Sequence, residues 1–226
     1  QIRAISDEFG RPQLDVAEAV YQGFSNQVLK TAGDMQVLNE VLRLARITNA
    51  SVASSMEAYS TVINSYRLNN FEATRVTNEL FKAVELGRFR LEDVANTMGR
   101  ILPIAAQLSV KTFEIQGFLA QLTVNGVSSG EALTQISSIM QALLKPTTAL
   151  SGVFRQLGVE NGQAAIQTFG FVGVLQRLFQ EAQSGNAEIA ELFPNVRALR
   201  GVIGGTGGGG TNELQNVINQ IRDSGE

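Results

Sequence analysis

A chain of 226 residues with 44% hydrophobic and 17% charged residues and a net charge of -3 is long enough for one sizeable domain or two small ones. It contains no His and no Cys, which excludes Ser-His-Asp and Cys-His catalysis, thiolate chemistry, disulfides and His-based zinc or haem sites. The weakly negative balance gives no electrostatic footprint for nucleic acid, so no specific nucleic-acid binding is expected. The charged fraction lies below a typical ~25%. Gln, Asn, Ser and Thr fill the gap, and such neutral polar surfaces suit helices that pack on other helices or on copies. The apolar run from Ala164 to Leu175 includes Gln167 and Thr168 and falls short of the ~20 residues a spanning helix needs. The chain opens on Gln1 without a basic-then-apolar leader, and is expected to be a fragment of something longer.

No period-2 run of β-branched or aromatic residues lasts beyond four positions, and helical spacing recurs instead. Pro12, at a first-turn position, and Gly23, near a close, predict a first helix over Pro12 to Phe24. Met35, Leu38, Val41, Leu42 and Ala45 follow the i, i+3, i+4, i+7 rule and predict a second over Asp34 to Ile47. Further starts are predicted near Val52, Phe71, Leu91, Thr112 and Ser129, which are 19, 20, 21 and 17 residues apart. Glu57, Glu72, Glu92, Glu114 and Glu131 recur at the same step, so the region reads as a degenerate repeat of one helix and one turn. Ordinary globular helices with short loops are the alternative.

The turns support these boundaries. Asn69-Asn70 caps the helix opening at Phe71. Gly87 follows a helix with Leu80, Phe81, Val84 and Leu86 as its apolar positions. Asn125-Gly126 offers a left-handed helix stop, and Ser128 to Glu131 has the Ser-x-x-Glu pattern of a capping box. Pro103 sits inside MGRILPIAAQL, where its ring meets the Gly99 carbonyl, so a kink is expected between them.

Pro146 ends the helix closing in ALLKP. Beyond it the pattern predicts helices over Thr147 to Leu157, Gln163 to Ala182, Ala187 to Val202 and Thr211 to Ile221, with the glycine-rich GGTGGGG connector, 204–210, before the last.

Each candidate for chemistry has a plainer structural reading. Gly205, Gly207 and Gly210 spell G-x-G-x-x-G, but the motif follows a helical segment rather than a strand and carries no Walker lysine, so it reads as a connector. Glu92-Asp93 and the i, i+3 pair Glu188 and Glu191 are the carboxylate clusters of suggestive spacing. Without His, a metal site in a helical bundle needs several inward-facing carboxylates, and a solvated helix face is the simpler account. Arg197 and Arg200 share a helix face and suit pairing with a neighbouring carboxylate or a partner. Phe113, Phe118, Phe154, Phe169, Phe171 and Phe179 are expected as core anchors. No catalytic, cofactor-binding or metal-ligating residue is predicted.

The stretch from Arg88 to Pro146 is a series of short amphipathic helices, each opened by a polar turn and an early Glu and the last closing in LLKP. NVRALRG (Asn195 to Gly201) and the glycine cluster follow. In this order, over residues 80 to 220, the chain resembles the conserved region of phage tail tape measure proteins. The resemblance implies a structural virion protein and not an enzyme, without cofactors, occurring in phages and prophages. It would act in tail assembly, tail length determination and genome ejection. Its expected partners are further copies in the tail lumen, the tail tube protein, tail assembly chaperones and tail tip or baseplate proteins. Its expected location is the virion, in the tail tube lumen or at the tail tip, and the host cytoplasm during assembly. The other reading is a helical-repeat protein–protein interaction module of cellular origin, with a concave surface and capping repeats. On either reading the fold is all-α, a multi-helix array of short antiparallel helices. Its expected division is 1–50, N-terminal helices; 51–146, the helix-turn units; and 147–226, C-terminal helices with the connector.

Overall fold

The computed structural model describes residues 2–31, 34–185, 188–195 and 210–226. Among these the chain forms helices and no strand. In chain order they are α1 (Ile2–Phe9), α2 (Gln13–Ser25), α3 (Met35–Ile47), α4 (Val52–Tyr66), a 3-10 turn (Asn70–Glu72), α5 (Ala73–Leu86), α6 (Leu91–Gln107), α7 (Thr112–Val124), α8 (Ser129–Leu144), α9 (Thr148–Gln156), α10 (Gly162–Phe169), α11 (Phe171–Gln183), α12 (Ile189–Leu192) and α13 (Gly210–Ser224). The all-α class read from the sequence is the one observed.

Side-chain caps set many of the starts. Ser51, Asn69, Ser128, Thr147 and Asn161 each accept a backbone N–H of the following turn, satisfying donors that the helix itself leaves open. At α6 and α7 the carboxylates of Asp93 and Glu114 reach back to the Arg90 and Lys111 amides at 3.2 and 3.0 Å. At α8 only the Ser128 half of the expected box forms: its hydroxyl accepts from the Glu131 amide at 3.4 Å, while the Glu131 carboxylate accepts from the Gln135 side chain.

The ends share one joint. Gln27, Asn49, Arg67, Ser109, Gly126 and Gly158 all take positive φ, and the apolar residue after each sends its N–H back five residues. Val28 donates to Gly23, Ala50 to Ala45, Leu68 to Ile63, Val110 to Ala105, Val127 to Leu122 and Val159 to Phe154, all at 2.9 to 3.0 Å. This is the Schellman closure, in which the apolar residue folds back on the helix it has left. Four of the six left-handed positions are not glycine, so the joint is held by burial of the next residue rather than by backbone freedom.

The joints stack helices in two layers. In one, α3 packs on α5 and α5 on α7; in the other, α2 on α4, α4 on α6 and α6 on α8. Neighbours within a layer run parallel. Asn70, before α5, donates to Asp34, before α3, at 2.8 Å, and Arg43 on α3 donates to Asn78 on α5. Thr112 at the start of α7 donates to Glu79 on α5, and the Arg88 amide beyond α5 donates to Thr123 near the end of α7. In the other layer, Asn64 of α4 donates to the Asn26 carbonyl just past α2, and the Tyr66 hydroxyl to the Val110 carbonyl just past α6. Helices of the first layer start at 35, 73 and 112 and those of the second at 52, 91 and 129, steps of 38 or 39 residues. The structural unit is therefore a helical hairpin, two of the helix-turn steps visible in the sequence. α9 to α12 gather beside α8, and α13 lies across α5 and α7.

Four boundaries differ from the sequence reading. α1 carries the apolar series Ile2, Ile5 and Phe9 and forms a helix that the pattern alone did not announce. The element expected at Phe71 opens as a 3-10 turn, with α5 beginning at Ala73 and Phe71 98% exposed. The helix expected from Gln163 to Ala182 breaks at Gly170, where φ +73° and ψ 163° leave helical space and Cβ is disfavoured. The helix expected from Ala187 to Val202 is interrupted. α12 stops at Leu192 because Pro194 excludes the helical region at Phe193, which sits at φ -126°, ψ 77°. α6 runs through Pro103, and both Gly99 and Pro103 face solvent, where water can satisfy the freed carbonyl. Residues 196–209, with Arg197, Arg200 and the glycines 204–209, lie outside the described residues.

Candidate functional site

α7 is the centre of the molecule. From Thr112 to Thr123 almost every residue is buried, as expected of a helix without a polar face. α5, α8 and α13 cover it. Gly117 permits the closest approach: a Cβ there would meet the Ile218 side chain, with the Ile218 Cα at 3.1 Å. Leu214, Ile218 and Ile221 complete the buried stripe of α13. Phe118 meets Phe171 edge-on at 5.7 Å between ring centres.

Two carboxylates are buried around α7. Glu114 accepts from the Lys111 amide at its own helix start and, with Oε1, from the Phe171 amide at 2.7 Å. The Val172 amide also faces it. One side chain thus caps α7 and α11 together. Burial pushes its carboxyl above the ordinary Glu value, against the pull of those N–H groups. Glu79 on α5 is 1% exposed, pairs with Arg75 and accepts from the Thr112 hydroxyl at 2.6 Å. Burial raises it too. The cleft beside Glu114, about 390 Å³, is lined by Lys111, Phe113, Phe169, Gln215 and Arg222 among others. Glu114 is the one carboxylate among the described residues lining it, and it is already committed to backbone amides, so the cleft offers no acid–base pair.

Docking chemistry is stronger on the second layer. Grooves run between its successive helices: about 520 Å³ between α2 and α4, with Ser25, Glu57 and Thr61; about 670 Å³ between α4 and α6, with Ser65, Arg67 and Gln107; and about 290 Å³ between α6 and α8, with Thr97, Arg100, Ser137 and Gln141. Small hydroxyls and amides dominate these linings. This is where the neutral polar excess of the composition is spent: a ridged face of low charge, suited to a large protein partner rather than to a small reacting molecule.

The residues singled out in the sequence have structural positions here. Asp93 caps α6, and Glu92 accepts from the Ser51 amide at 3.0 Å, tying the start of α6 to that of α4. Glu188 and Glu191 are exposed around the four-residue α12. Of the six phenylalanines, Phe118, Phe154 and Phe171 are fully buried. Phe113, Phe169 and Phe179 are half-buried, and Arg177 stacks 4.0 Å over the Phe169 ring. Tyr59, Phe193, Glu79 and the second role of Glu114 were not foreseen. Glu79 left a signal, since it falls within the apolar stripe Val76, Leu80 and Ala83.

The two-layered helical scaffold leaves the class of protein open, and the comparisons supply it. The chain belongs to the phage-related minor tail protein family, whose model matches residues 1–199. It is 25% identical over 148 residues to the tape measure protein of Pneumococcus phage Dp-1, covering 63% of this chain and 13% of that protein. No solved structure matches it. The chain is thus a tape measure-related structural component of a phage tail, which favours the first of the two readings from the sequence.

Proposed function

We propose that this chain is the folded docking domain of a tape measure protein, with the measuring stretch elsewhere in the same polypeptide. The observation that carries this is the return of the chain at each left-handed joint. A ruler gains ~1.5 Å per residue only while it stays extended, and 226 residues in one helix would span ~340 Å. Here the accessible surface is 10681 Å², close to the ~10,000 Å² of a compact protein of this mass. Contour length is lost to folding, which suits attachment rather than measurement.

In this reading residues 1–50 lead into the array and line its first groove through α2, and 51–146 supply the rest of the grooved face. Residues 147–226 close the far end and return α13 over the centre. The grooved face meets the tail tube protein, the tail assembly chaperones or the tip and baseplate proteins, several copies share the tail lumen, and the domain leaves with the tape at genome ejection. Low surface charge favours passage through a tube that also carries DNA, because it avoids electrostatic capture.

The test is substitution in the grooves. Thr61→Arg with Ser137→Arg should leave the helical spectrum unchanged and reduce the yield of complete tails in a phage carrying both. Normal yields would remove the grooved face from the proposal. Separately, an in-frame deletion of 112–128 should stop assembly. Intact tails shortened by ~25 Å, the helical rise of 17 residues, would mean that the domain itself measures.

A further inference from the structure

α6 carries, in the middle of its exposed side, the two residues that suit a helix least. Pro103 has no N–H, so the Gly99 carbonyl one turn back loses its donor within the helix. Gly99 itself adds backbone freedom that helix formation must remove. Packing explains neither. Both residues are exposed, and a Cβ at Gly99 would meet only the Thr61 methyl of α4, at an ordinary 3.9 Å. Helix stability is given up here without a packing gain, and the result is one backbone acceptor open to solvent on the second-layer face.

The two grooves beside this ridge carry charge of one sign. Arg67 lines the groove toward α4 together with Pro103 and Gln107, and Arg100 lines the groove toward α8 with Thr97 and Ser137. Neither groove has a carboxylate among its described lining residues; Glu57 lies across α4, in the first groove. Arg67 and Arg100 are exposed, and neither forms an ion pair among the described residues.

We propose that the Gly99 carbonyl anchors the grooved face by accepting a hydrogen bond from an acidic segment of the tail protein that docks there. The inference rests on the docking-domain reading and names the chemistry of the partner. The segment sets carboxylates against Arg67 and Arg100 and offers the carbonyl a neutral donor, a hydroxyl or a side-chain amide. A cationic donor is disfavoured because Arg100 adjoins the carbonyl and repels it. The interior of a regular helix has no such acceptor to give, since each of its carbonyls is already bonded. At Gly99 the partner's donor exchanges with water, so the free chain buries no unsatisfied group.

Pro103→Ala restores the missing N–H and bonds the carbonyl within α6. The melting temperature of the chain should rise, while the yield of complete tails from a phage carrying the variant falls severalfold. A lower melting temperature would show that the proline shapes α6 for packing, and would overturn the proposal. Gly99→Ala keeps the proline but sets a methyl beside the carbonyl, and should also lower the yield. A normal yield there would assign the effect of Pro103→Ala to the bend of the helix and not to the acceptor. Arg67→Glu with Arg100→Glu should lower the yield with the helical spectrum unchanged; a normal yield would sink the acidic segment. If Thr61→Arg with Ser137→Arg lowers the yield and Pro103→Ala does not, the anchor falls and the docking face stands. Normal yields for both would remove the face and the anchor together.

Discussion

α7 buries Phe118, Leu119 and Leu122 with neighbours on every side, whereas α2, of the same length, turns Leu14, Tyr21 and Phe24 to solvent. Both are helices of one repeating architecture, and position in the stack, not intrinsic propensity, separates them. Most polar groups on the central helix find a partner, as Glu114, Thr112 and Thr123 do, while the Gln116 amide is buried there without one. An edge helix can carry large apolar groups only if it pairs or tolerates exposure. Stability therefore concentrates around α7, and freedom to evolve contacts concentrates at α2 and along the second-layer grooves.

The sharpest way to break this contrast is to truncate one ring in each place. Phe118→Ala should cost about 3–5 kcal/mol in denaturant unfolding, through lost burial and the cavity left behind, while Tyr21→Ala should stay within about 0.5 kcal/mol. Equal losses would mean that α2 is as deeply held as α7.

Next in size is the shared cap. Glu114→Ala orphans amides at two helix starts at about 1–3 kcal/mol each, offset by the relieved desolvation of a buried charge, so a net loss of about 2 kcal/mol is expected. Its pH dependence carries a sign. Because burial raises the folded carboxyl, its contribution is full below the unfolded value of about 4.3 and declines as pH rises through the raised folded value. Relative to Glu114→Gln, the wild type should lose stability over that rise. Asp34 has the opposite sign: the Lys30 amide, then the Asn70 side chain and the Thr31 amide, hold it at about 2. Its contribution is present above the ordinary Asp value and is lost as pH falls through about 2, a loss that Asp34→Asn should lack.

A smaller effect separates the centre from its cover. Gly117→Val must displace Ile218 and should cost about 1–3 kcal/mol by overpacking, with faster hydrogen exchange in α13 and none in α2. Uniform acceleration would mean that α13 is integral to the centre. The smallest effect distinguishes the halves of the box at α8: Ser128→Ala should cost about 1 kcal/mol and Glu131→Ala a few tenths, since only the serine caps.

The sequence alone determined the helical class and most helix starts, because caps and periodicity are local: Val52, Leu91, Thr112 and Ser129 begin their helices where the polar turns predict. It also showed that the charged fraction is low. It could not show which helices touch. A step of about 20 residues is equally compatible with single-helix units and with hairpins, and only the parallel packing of alternate helices decides for the hairpin. Likewise Glu114 reads locally as the cap of α7; its grip on α11 exists because Gly170 breaks the backbone and brings the Phe171 amide, 57 residues on, to it. The full burial of α7, the place of α13 across it and the exposed apolar side of α2 are decided in the same way, because burial belongs to the neighbours a helix acquires and not to the residues it carries.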